Sequence, residues 1–154
     1  MEYTIIAGVN GAGKSSLYNS GTLVKSKLGV RLNVDELVQK EYDNKWQDDL
    51  IQLEAGKRIV RQLKECIANG ISFNQETTLS GNSTERYINE ARSHGFIISL
   101  YYVALRNMEL SLQRVASRVE NNGHGVYEDI LRNRYSKSFA NLVKIMPLCD
   151  NVIV

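Results

Sequence analysis

The residues best suited to chemistry lie near the start of the chain, in a glycine-rich loop over residues 8–15. The loop follows an apolar run, residues 3–7, and fits the pattern Gly-x-x-x-x-Gly-Lys-Ser/Thr. Glycines let a backbone curl until consecutive N–H groups point at one anion, and a following helix adds the positive end of its dipole. The pattern predicts a phosphate-binding loop, because a plain turn would require neither Lys14 nor Ser15.

Each part of this loop has an expected role with a nucleotide and its metal ion. We expect ATP and Mg²⁺ as cofactors, with the Lys14 ammonium at the β- and γ-phosphates and the Ser15 hydroxyl on the metal. Other contacts should come from the loop backbone and the first helical turn. The predicted nucleotide-binding residues are Gly8, Asn10, Gly11, Ala12, Gly13, Lys14, Ser15 and Ser16.

An aspartate follows the second predicted strand, residues 31–34, at the sheet edge that carries the loop. Phosphoryl transfer to a hydroxyl needs a base that takes the proton of the acceptor, and Asp35 stands where such a base is required. The residues leave a second role equally open, in which Asp35 only caps the helix that starts at Glu36.

A second acid, Glu76, follows the third predicted strand, residues 71–75. An acid at the end of a buried strand must be solvated or paired, which favours a functional position beside the loop. Glu76 would then orient an acceptor hydroxyl or a metal-bound water molecule. Thr77 and Thr78 could hydrogen-bond to substrate, although β-branched residues also favour strands for structural reasons.

Four arginines surround a glycine-rich break in the helical pattern, residues 121–125. Arg114 and Arg118 are four residues apart on one helix face, and Arg132 and Arg134 follow the break. Phosphoryl transfer needs cations at the transferring group, and arginines supply them as planar donors. We expect a helical lid that brings at least one arginine of the first pair to the γ-phosphate; the alternative is a solvated charged face.

Four other residues have plainer interpretations. His124 lies between two glycines, where it could contact phosphate or backbone, and no histidine or cysteine is spaced to form a metal site with it. Trp46 is expected to pack. Cys66 and Cys149 are the only cysteines, and they indicate thiols in a reducing compartment.

Predicted strands and helices alternate along the chain, which indicates an α/β fold with a parallel sheet and helices on both faces. The five strands are predicted over residues 3–7, 31–34, 71–75, 96–105 and 150–154. The helices are predicted over residues 14–20, 36–42, 47–69, 82–93, 107–120 and 127–144.

Capping residues and apolar spacing add detail to three of these helices. Asn82 is the predicted N-cap of one helix and Asn107 of the next. The predicted core face of the longest helix is Leu50, Leu53, Val60, Leu63 and Ile67. The predicted core face of the helix after Asn107 is Met108, Leu112, Val115 and Val119.

Composition suits one globular domain over residues 1–154, with 43% hydrophobic and 23% charged residues. The formal net charge of +2 is too small to indicate a nucleic-acid-binding surface. Apolar runs fall short of the ~20 residues that cross a bilayer, and the N-terminal strand leaves no room for a signal peptide. We expect a soluble, cytoplasmic protein with no membrane or nucleic-acid partner.

The chain resembles the zeta-toxin family of P-loop kinases, in its small single-domain form. The resemblance covers nearly the whole chain and rests on residues 8–16, 33–35, 76–80, 114–119, 123–126, 132–135 and 138–142. The loop alone is common to many P-loop kinases, whereas the later run of arginines, Gly-His and Arg-Tyr separates this family from them. The chain differs at Asn122 and Tyr127, where small members usually have glycine and proline.

This resemblance implies a three-layer α/β/α P-loop kinase fold and transfer of the ATP γ-phosphate to the sugar 3′-hydroxyl of UDP-N-acetylglucosamine. It implies that Lys14 holds phosphate, that Asp35 is the base and that Glu76 contacts the acceptor. The implied lid arginines at the γ-phosphate are Arg114 and Arg118, with Arg134 or Arg132 as the second element. It also implies an antitoxin protein as a partner that blocks the nucleotide site.

Two other functions remain open at this point. One keeps the kinase but changes the acceptor to a nucleoside, another metabolite or a polynucleotide end; a polynucleotide would bind with a steep salt dependence, which the small net charge does not favour. The other is a nucleotide-binding regulatory module whose bound state, rather than turnover, is read by a protein partner.

Overall fold

In residues 1–23 and 27–154, which the computed structural model describes, five strands form one parallel sheet. The strands are β1 (Glu2–Ala7), β2 (Val30–Leu32), β3 (Phe73–Thr77), β4 (Ile97–Tyr102) and β5 (Asn151–Ile153). Their order across the sheet is β2-β3-β1-β4-β5, and every neighbouring pair is parallel. The predicted α/β class is confirmed.

Helices connect successive strands, as parallel pairing requires. They are α1 (Lys14–Asn19), α2 (Val34–Glu41), α3 (Asp49–Ala68), α4 (Thr84–Ser93), α5 (Met108–Glu120) and α6 (Glu128–Ile145), followed by a 3₁₀ turn (Met146–Leu148). Within the described ranges, none of these helices is both long and apolar enough to span a bilayer.

The central strand β1 is covered on both faces. Its consecutive residues Ile5 and Ile6 point to opposite sides of the sheet, and both are fully buried. Ile5 belongs to a large cluster with Phe73 and Leu100, whereas Ile6 packs with Leu23 and Leu28 on the other side. Burial on both faces explains why β1 is a continuous apolar run rather than an alternating one.

The predicted core face of α3 is correct for its second half and wrong for its first. Leu50 and Leu53 are 77% and 55% exposed, whereas Leu63 and Ile67 are buried. The residues of α3 that are buried are Ala55, Ile59, Leu63, Cys66 and Ile67. The first turns of α3 flank an open cleft, which Leu53 lines, so their apolar side chains have no core to meet.

Two predictions for the later helices need correction. The N-cap of α4 is Ser83 rather than Asn82, and its side chain makes no capping hydrogen bond. In α5, Asn107 caps as predicted, but Val119 is 38% exposed and Ser111 takes a core position instead. Ser111 is buried because its hydroxyl donates to the Asn10 carbonyl at 2.7 Å, which joins α5 to the loop after β1.

The sheet topology determines which edge can hold a ligand. Strand β1 lies between β3 and β4, so the chain turns to opposite sides of β1 after its first strand and after β3. Ligands of open α/β sheets bind at the carboxyl ends of strands beside such a reversal. Here that edge carries the glycine-rich loop.

Candidate functional site

The glycine-rich loop joins β1 to α1 and is held by both neighbours of β1. The Gly8 N–H donates to the Thr77 carbonyl at 3.2 Å, and the Val103 N–H donates to the Ala7 carbonyl at 2.8 Å. Gly8 has φ +144°, and a Cβ there would lie 2.4 Å from the Val103 carbonyl oxygen. Glycine is required because a side chain would meet backbone that cannot move aside. The loop is therefore fixed to β3 and β4.

Lys14 begins α1 and is nearly buried, with 7% of the residue exposed. Its Nζ donates to the Val9 carbonyl at 3.0 Å. Burial lowers the pKa of Lys14, and the nearby carboxylates of Glu76 and Asp35 offset this only in part. A phosphate would offer this ammonium an anionic partner in place of a neutral carbonyl.

Ser15 and Glu76 connect the loop to the end of β3. The Ser15 hydroxyl donates to Glu76, with 3.0 Å between Oγ and Oε1. The same carboxylate accepts from Asn33 Nδ2 at 3.1 Å and forms an ion pair with Arg31. The Arg31 and Glu76 side chains are only 14% and 10% exposed, so this pair is largely shielded from water. Glu76 is held beside the loop with its charge balanced.

Arg31, in β2, is a site residue that the sequence interpretation missed. Its guanidinium contacts Glu36 at 2.8 Å and the Asn74 side-chain oxygen at 3.1 Å, and it lies 3.9 Å from the centre of the Tyr18 ring. Burial lowers the pKa of Arg31, but the hydrogen bonds to Glu36 and Glu76 outweigh it, so the net pKa is raised. The available signal was an arginine between apolar strand residues, which needs a buried partner.

Asn33, not Asp35, caps helix α2. The Asn33 side-chain oxygen accepts from the backbone N–H groups of Asp35 at 2.9 Å and Glu36 at 3.3 Å. The interpretation of Asp35 as only a helix cap is therefore wrong. Its carboxylate lines the cleft beside the loop instead, with 44% of the side chain exposed.

His124 lies directly beside Asp35. Its Nε2 is 3.3 Å from Asp35 Oδ1, and its side chain is 10% exposed. Burial lowers the pKa of His124; Asp35 opposes this effect, whereas the cations of Arg118 and Arg134 add to it. The Trp46 ring packs nearby, with 6.1 Å between the ring centres. The sequence left phosphate or backbone as partners, and the structure places His124 against a carboxylate.

Two predicted arginines contact the loop directly. Arg114 is exposed, and its Nη1 donates to the Gly11 carbonyl at 3.1 Å. Arg134 is half-buried, and its Nη1 lies 3.4 Å from the Asn10 side-chain oxygen. Burial lowers the pKa of Arg134, which the Asp35 charge offsets in part. Both guanidinium groups thus stand over the phosphate loop.

Arg118 differs because part of its guanidinium is buried without a partner. Across the described part of the chain, its Nε and Nη2 find no hydrogen-bond acceptor. Gly123 packs against it so closely that a Cβ there would lie 2.5 Å from Arg118 Cγ. The positive charge of Arg118 contributes to lowering the pKa of Lys14, although Arg118 is not among the residues that line the cleft. Arg132 instead pairs with Glu128 at 2.6 Å on the surface.

The remaining predicted residues lie in or near the cleft. Thr77 and Thr78 line it, but the Thr77 hydroxyl accepts a backbone N–H at 3.0 Å, and the Thr78 hydroxyl lies 2.8 Å from Ser80 Oγ. Ser16 is exposed on α1, and Ala12 is buried under the loop. The structure therefore gathers the predicted residues on one edge but leaves the two threonine hydroxyls in local hydrogen bonds.

A cleft of about 520 Å³ is lined by Lys14, Asp35, Glu76, His124 and Arg134, among others. Part of its wall comes from residues that the sequence interpretation did not assign to a site: Trp46, Asp49, Gln52, Leu53, Tyr127 and Ile130. Trp46 was predicted only to pack, and it does so against Tyr127, with 5.8 Å between ring centres, while also facing the cleft. The cleft thus joins a charged end at the loop to an aromatic wall.

The donor set suits a magnesium nucleotide. The described ranges contain no group of three or more histidine, cysteine, aspartate or glutamate side chains that could hold a metal ion. Mg²⁺ does not need one, because it keeps several water molecules and is often bound through one or two protein groups and substrate phosphates. Ser15 could supply such a group. The buried Lys14 and the half-buried Arg134, both of which line the cleft, fit the phosphates.

Two solved structures share the fold of this chain. A chain from the PezAT chromosomal toxin-antitoxin system of Streptococcus pneumoniae matches with a TM-score of 0.68 and 15% identity, over 98% of this chain and 66% of that one. A chain of the Pnkp1/Rnl/Hen1 RNA repair complex matches with a TM-score of 0.66 and 16% identity, over 93% of this chain and 45% of that one. This chain therefore spans less than two thirds of either, and identities this low show a common fold alone.

Sequence comparisons reach further. An uncharacterized protein of Haemophilus influenzae is 30% identical over 128 residues, which are 83% of this chain and 88% of that protein. The family model described as Zeta toxin matches residues 2–147, from the first strand to the 3₁₀ turn. The match includes the loop, Asp35, Glu76 and the arginine-bearing helices described above. The chain belongs to the Zeta toxin family.

Proposed function

We propose that this protein is a P-loop kinase-type phosphotransferase that moves the γ-phosphate of ATP to a hydroxyl group of a small molecule. The observation that carries the proposal is that the buried Lys14, the Arg134 guanidinium and the Asp35 carboxylate line one cleft at the sheet edge. Buried cationic groups without an anionic partner favour an anion, and a carboxylate open to a cleft can accept a proton. Family membership supports the same chemistry.

In this proposal the donor nucleotide is held by the loop, which includes Lys14 and Ser15, and by three arginine side chains. Lys14 binds the β- and γ-phosphates in exchange for its bond to Val9, and Ser15 is the protein group on the magnesium ion. When bound, magnesium supplies positive charge at those phosphates. Arg118 fills its free hydrogen-bonding capacity with γ-phosphate oxygens, supported by Arg114 and Arg134.

Asp35 serves as the base in the transfer step. The acceptor oxygen forms a bond to the γ-phosphorus while the bond from that phosphorus to the β–γ bridging oxygen breaks, which leaves ADP. Asp35 takes the proton that the acceptor hydroxyl releases. The three arginines stabilise the negative charge on the equatorial oxygens.

The proposed acceptor is UDP-N-acetylglucosamine, phosphorylated at its sugar 3′-hydroxyl. Two points support it: membership of the Zeta toxin family and a cleft whose volume lies in the range of roughly 300–1,000 Å³ that small-molecule sites occupy. Glu76, Thr77 and Thr78 would hold the sugar beside the loop. Trp46 and Tyr127 would border the rest of the molecule.

The test is an acceptor screen with labelled ATP and magnesium. UDP-N-acetylglucosamine, free sugars, nucleosides, shikimate-like alcohols and a polynucleotide end are offered in parallel, and Lys14→Ala provides the blank. A labelled sugar nucleotide supports the proposal, and mass spectrometry of the product locates the phosphate. Transfer to another acceptor would keep the kinase and reject this substrate.

Two further results separate the remaining possibilities. Asp35→Asn should lower transfer by about 10²–10⁴-fold while ATP binding persists, and unchanged turnover in that variant would reject Asp35 as the base. A wild-type protein that binds ATP and changes shape but transfers phosphate to no acceptor would support a regulatory nucleotide-binding module instead.

The proposed protein partner is an antitoxin. The Streptococcus pneumoniae relative is described as part of a toxin-antitoxin system, and the mouth of this cleft carries the exposed apolar side chains of Leu53 and Tyr127. A protein seated there would cover both side chains and prevent nucleotide or acceptor entry. Purification from native cells tests this: an inactive heterocomplex that gains transfer activity on dissociation supports a partner, and an active free protein opposes it.

A further inference from the structure

We propose that His124 is a positioning residue for Asp35: its imidazole Nε2 lies 3.3 Å from Asp35 Oδ1, where its N–H would donate to that oxygen during turnover and leave the other carboxylate oxygen for the acceptor hydroxyl. The inference rests on the proposed function in that Asp35 is taken as the base. It adds a residue whose place in the chain, between Gly123 and Gly125, gave no indication of a carboxylate partner.

The geometry of the pair is asymmetric, and this asymmetry suggests which residue positions the other. His124 Nε2 lies 3.3 Å from Asp35 Oδ1, yet the imidazole is 10% exposed and the carboxylate 44%. Asp35 projects from the first turn of α2, where solvent leaves its side chain free to rotate. A fixed donor at Oδ1 would restrict the carboxylate to one orientation.

The backbone on both sides of His124 is closely packed. A Cβ on Gly125 would lie 2.4 Å from Trp46 Cζ2 and 2.7 Å from Val119 Cγ2. A Cβ on Gly123 would lie 2.8 Å from the Arg118 carbonyl oxygen, which also accepts the Gly123 N–H at 2.8 Å. These glycines are needed for close packing, which restricts the backbone that carries His124.

The surroundings select one protonation state of the imidazole. Burial and the positive charges of Arg118 in α5 and Arg134 in α6 lower the pKa of His124, and among the described residues the charge of Asp35 in α2 opposes them, so the neutral ring is favoured. A neutral ring has a single N–H, and His124 Nδ1 is buried without a partner. Placing the proton on Nδ1 would leave a buried donor unsatisfied and turn the Nε2 lone pair toward a carboxylate. The Nε2–H tautomer avoids both.

A direct contact between His124 and the transferred phosphate is the competing role, and a double-mutant cycle separates the two. If His124 acts through Asp35, then His124→Ala should lower kcat about 10–100-fold, as loss of a supporting hydrogen bond does elsewhere, with the KM for ATP nearly unchanged. In an Asp35→Asn background the same change should cost little more, because the residue it positions is already gone. Additive losses would assign His124 to the phosphate and overturn the proposal.

A conservative variant guards against a folding defect. The amide nitrogen of glutamine reaches the position of an imidazole Nε2 better than that of asparagine. His124→Gln should therefore recover most of the kcat that His124→Ala loses, and His124→Asn should not. Equal losses in all three variants, with thermal unfolding unchanged, would overturn the proposal.

Imidazole ¹⁵N NMR supplies a readout that does not depend on turnover. The chain has two histidines, and His94, exposed at the end of α4 with Nδ1 2.9 Å from the Glu90 carbonyl, is the internal control. We expect neutral, Nε2-protonated His124 near pH 7. In Asp35→Asn its titration midpoint should move to lower pH, because the charge that favours protonation is lost, while His94 should not move.

The NMR result decides the contact even if the wild-type protein transfers phosphate to no acceptor, in which case the proposed function fails by itself. An Nδ1-protonated His124, or a His124 whose midpoint ignores the Asp35 substitution, would overturn the inference. If transfer is normal but the His124 midpoint does not respond to Asp35→Asn, the proposed function stands and only the role of His124 is rejected.

Discussion

The Ser15 hydroxyl donates to the Glu76 carboxylate across 3.0 Å, which links the start of α1 to the end of β3. The same carboxylate is paired with Arg31, so the acid beside the phosphate loop is held by groups from three segments of the chain. This arrangement lets a negative side chain stand next to a phosphate site, because its charge is already balanced.

Glu76→Gln should therefore lower the free energy of unfolding. The amide cannot balance the Arg31 guanidinium, which remains paired with Glu36 alone, and we expect a loss of about 1–3 kcal/mol in urea denaturation. The matched control is Glu41→Gln, which removes the carboxylate from an exposed ion pair with Arg58 and should change little. Equal effects of the two substitutions would contradict the importance of burial.

Gly8→Ala should destabilise the fold by roughly 2–4 kcal/mol, because the new methyl group meets the Val103 carbonyl oxygen and φ is +144°. Gly56→Ala is the control: it lies within α3 with open space around the new Cβ. Alanine there should stabilise the helix by about 0.5–1 kcal/mol. Both changes are measured by chemical denaturation. A tolerated Gly8→Ala would mean that the loop is less tightly held than the distances indicate.

Lys14 should make stability depend on pH in the alkaline range. Burial holds its pKa below the ordinary 10.5 in the folded protein, and unfolding restores it, so between the two values the unfolded chain binds more protons. The free energy of unfolding of wild type, relative to Lys14→Met, should rise as pH increases through the folded pKa toward 10.5. Lys57→Met, on the exposed face of α3, is the control and should follow wild type. A parallel course of wild type and Lys14→Met would refute the prediction.

Arg118→Ala should separate catalysis from stability. Two of its guanidinium nitrogens have no partner to lose, so the stability cost should be limited to the packing of its alkyl chain on Gly123, and the protein should stay folded. Phosphate transfer should fall about 10²–10³-fold, because the transferring group loses a buried cation. Initial rates with saturating ATP measure the effect, and Arg61→Ala on the surface of α3 is the charge-matched control. Full activity in Arg118→Ala would exclude it from the site.

The site residues at the ends of predicted strands could be located from the sequence. Lys14 and Asp35 follow strands and Glu76 lies near the end of β3, and the carboxyl ends of parallel strands share one edge, so an alternating pattern was enough to bring them together. The parallel sheet with intervening helices follows from the same alternation, whereas the order of the strands across the sheet does not. These predictions needed no knowledge of which side chains touch.

The alternation of strands and helices could not predict which side chains contact each other across neighbouring strands. Arg31 reaches Asn74 and Glu76 because β2 pairs with β3 in a register that sets Arg31 opposite Asn74. Periodicity identifies strands but does not determine how they align, and a shift of one residue would turn Arg31 to the other face. The exposure of Leu50 has a related cause, since spacing along α3 does not reveal where the sheet ends beneath it.

The contact between Gly125 and Trp46 has a practical consequence for studies in solution. Trp46 is the only tryptophan of the chain, and it lines the cleft while packing against the segment that carries His124. The tryptophan fluorescence of the protein therefore comes from the candidate site alone. Quenching or a spectral shift on addition of nucleotide or sugar nucleotide would follow occupancy and rearrangement of this segment in real time, without any label.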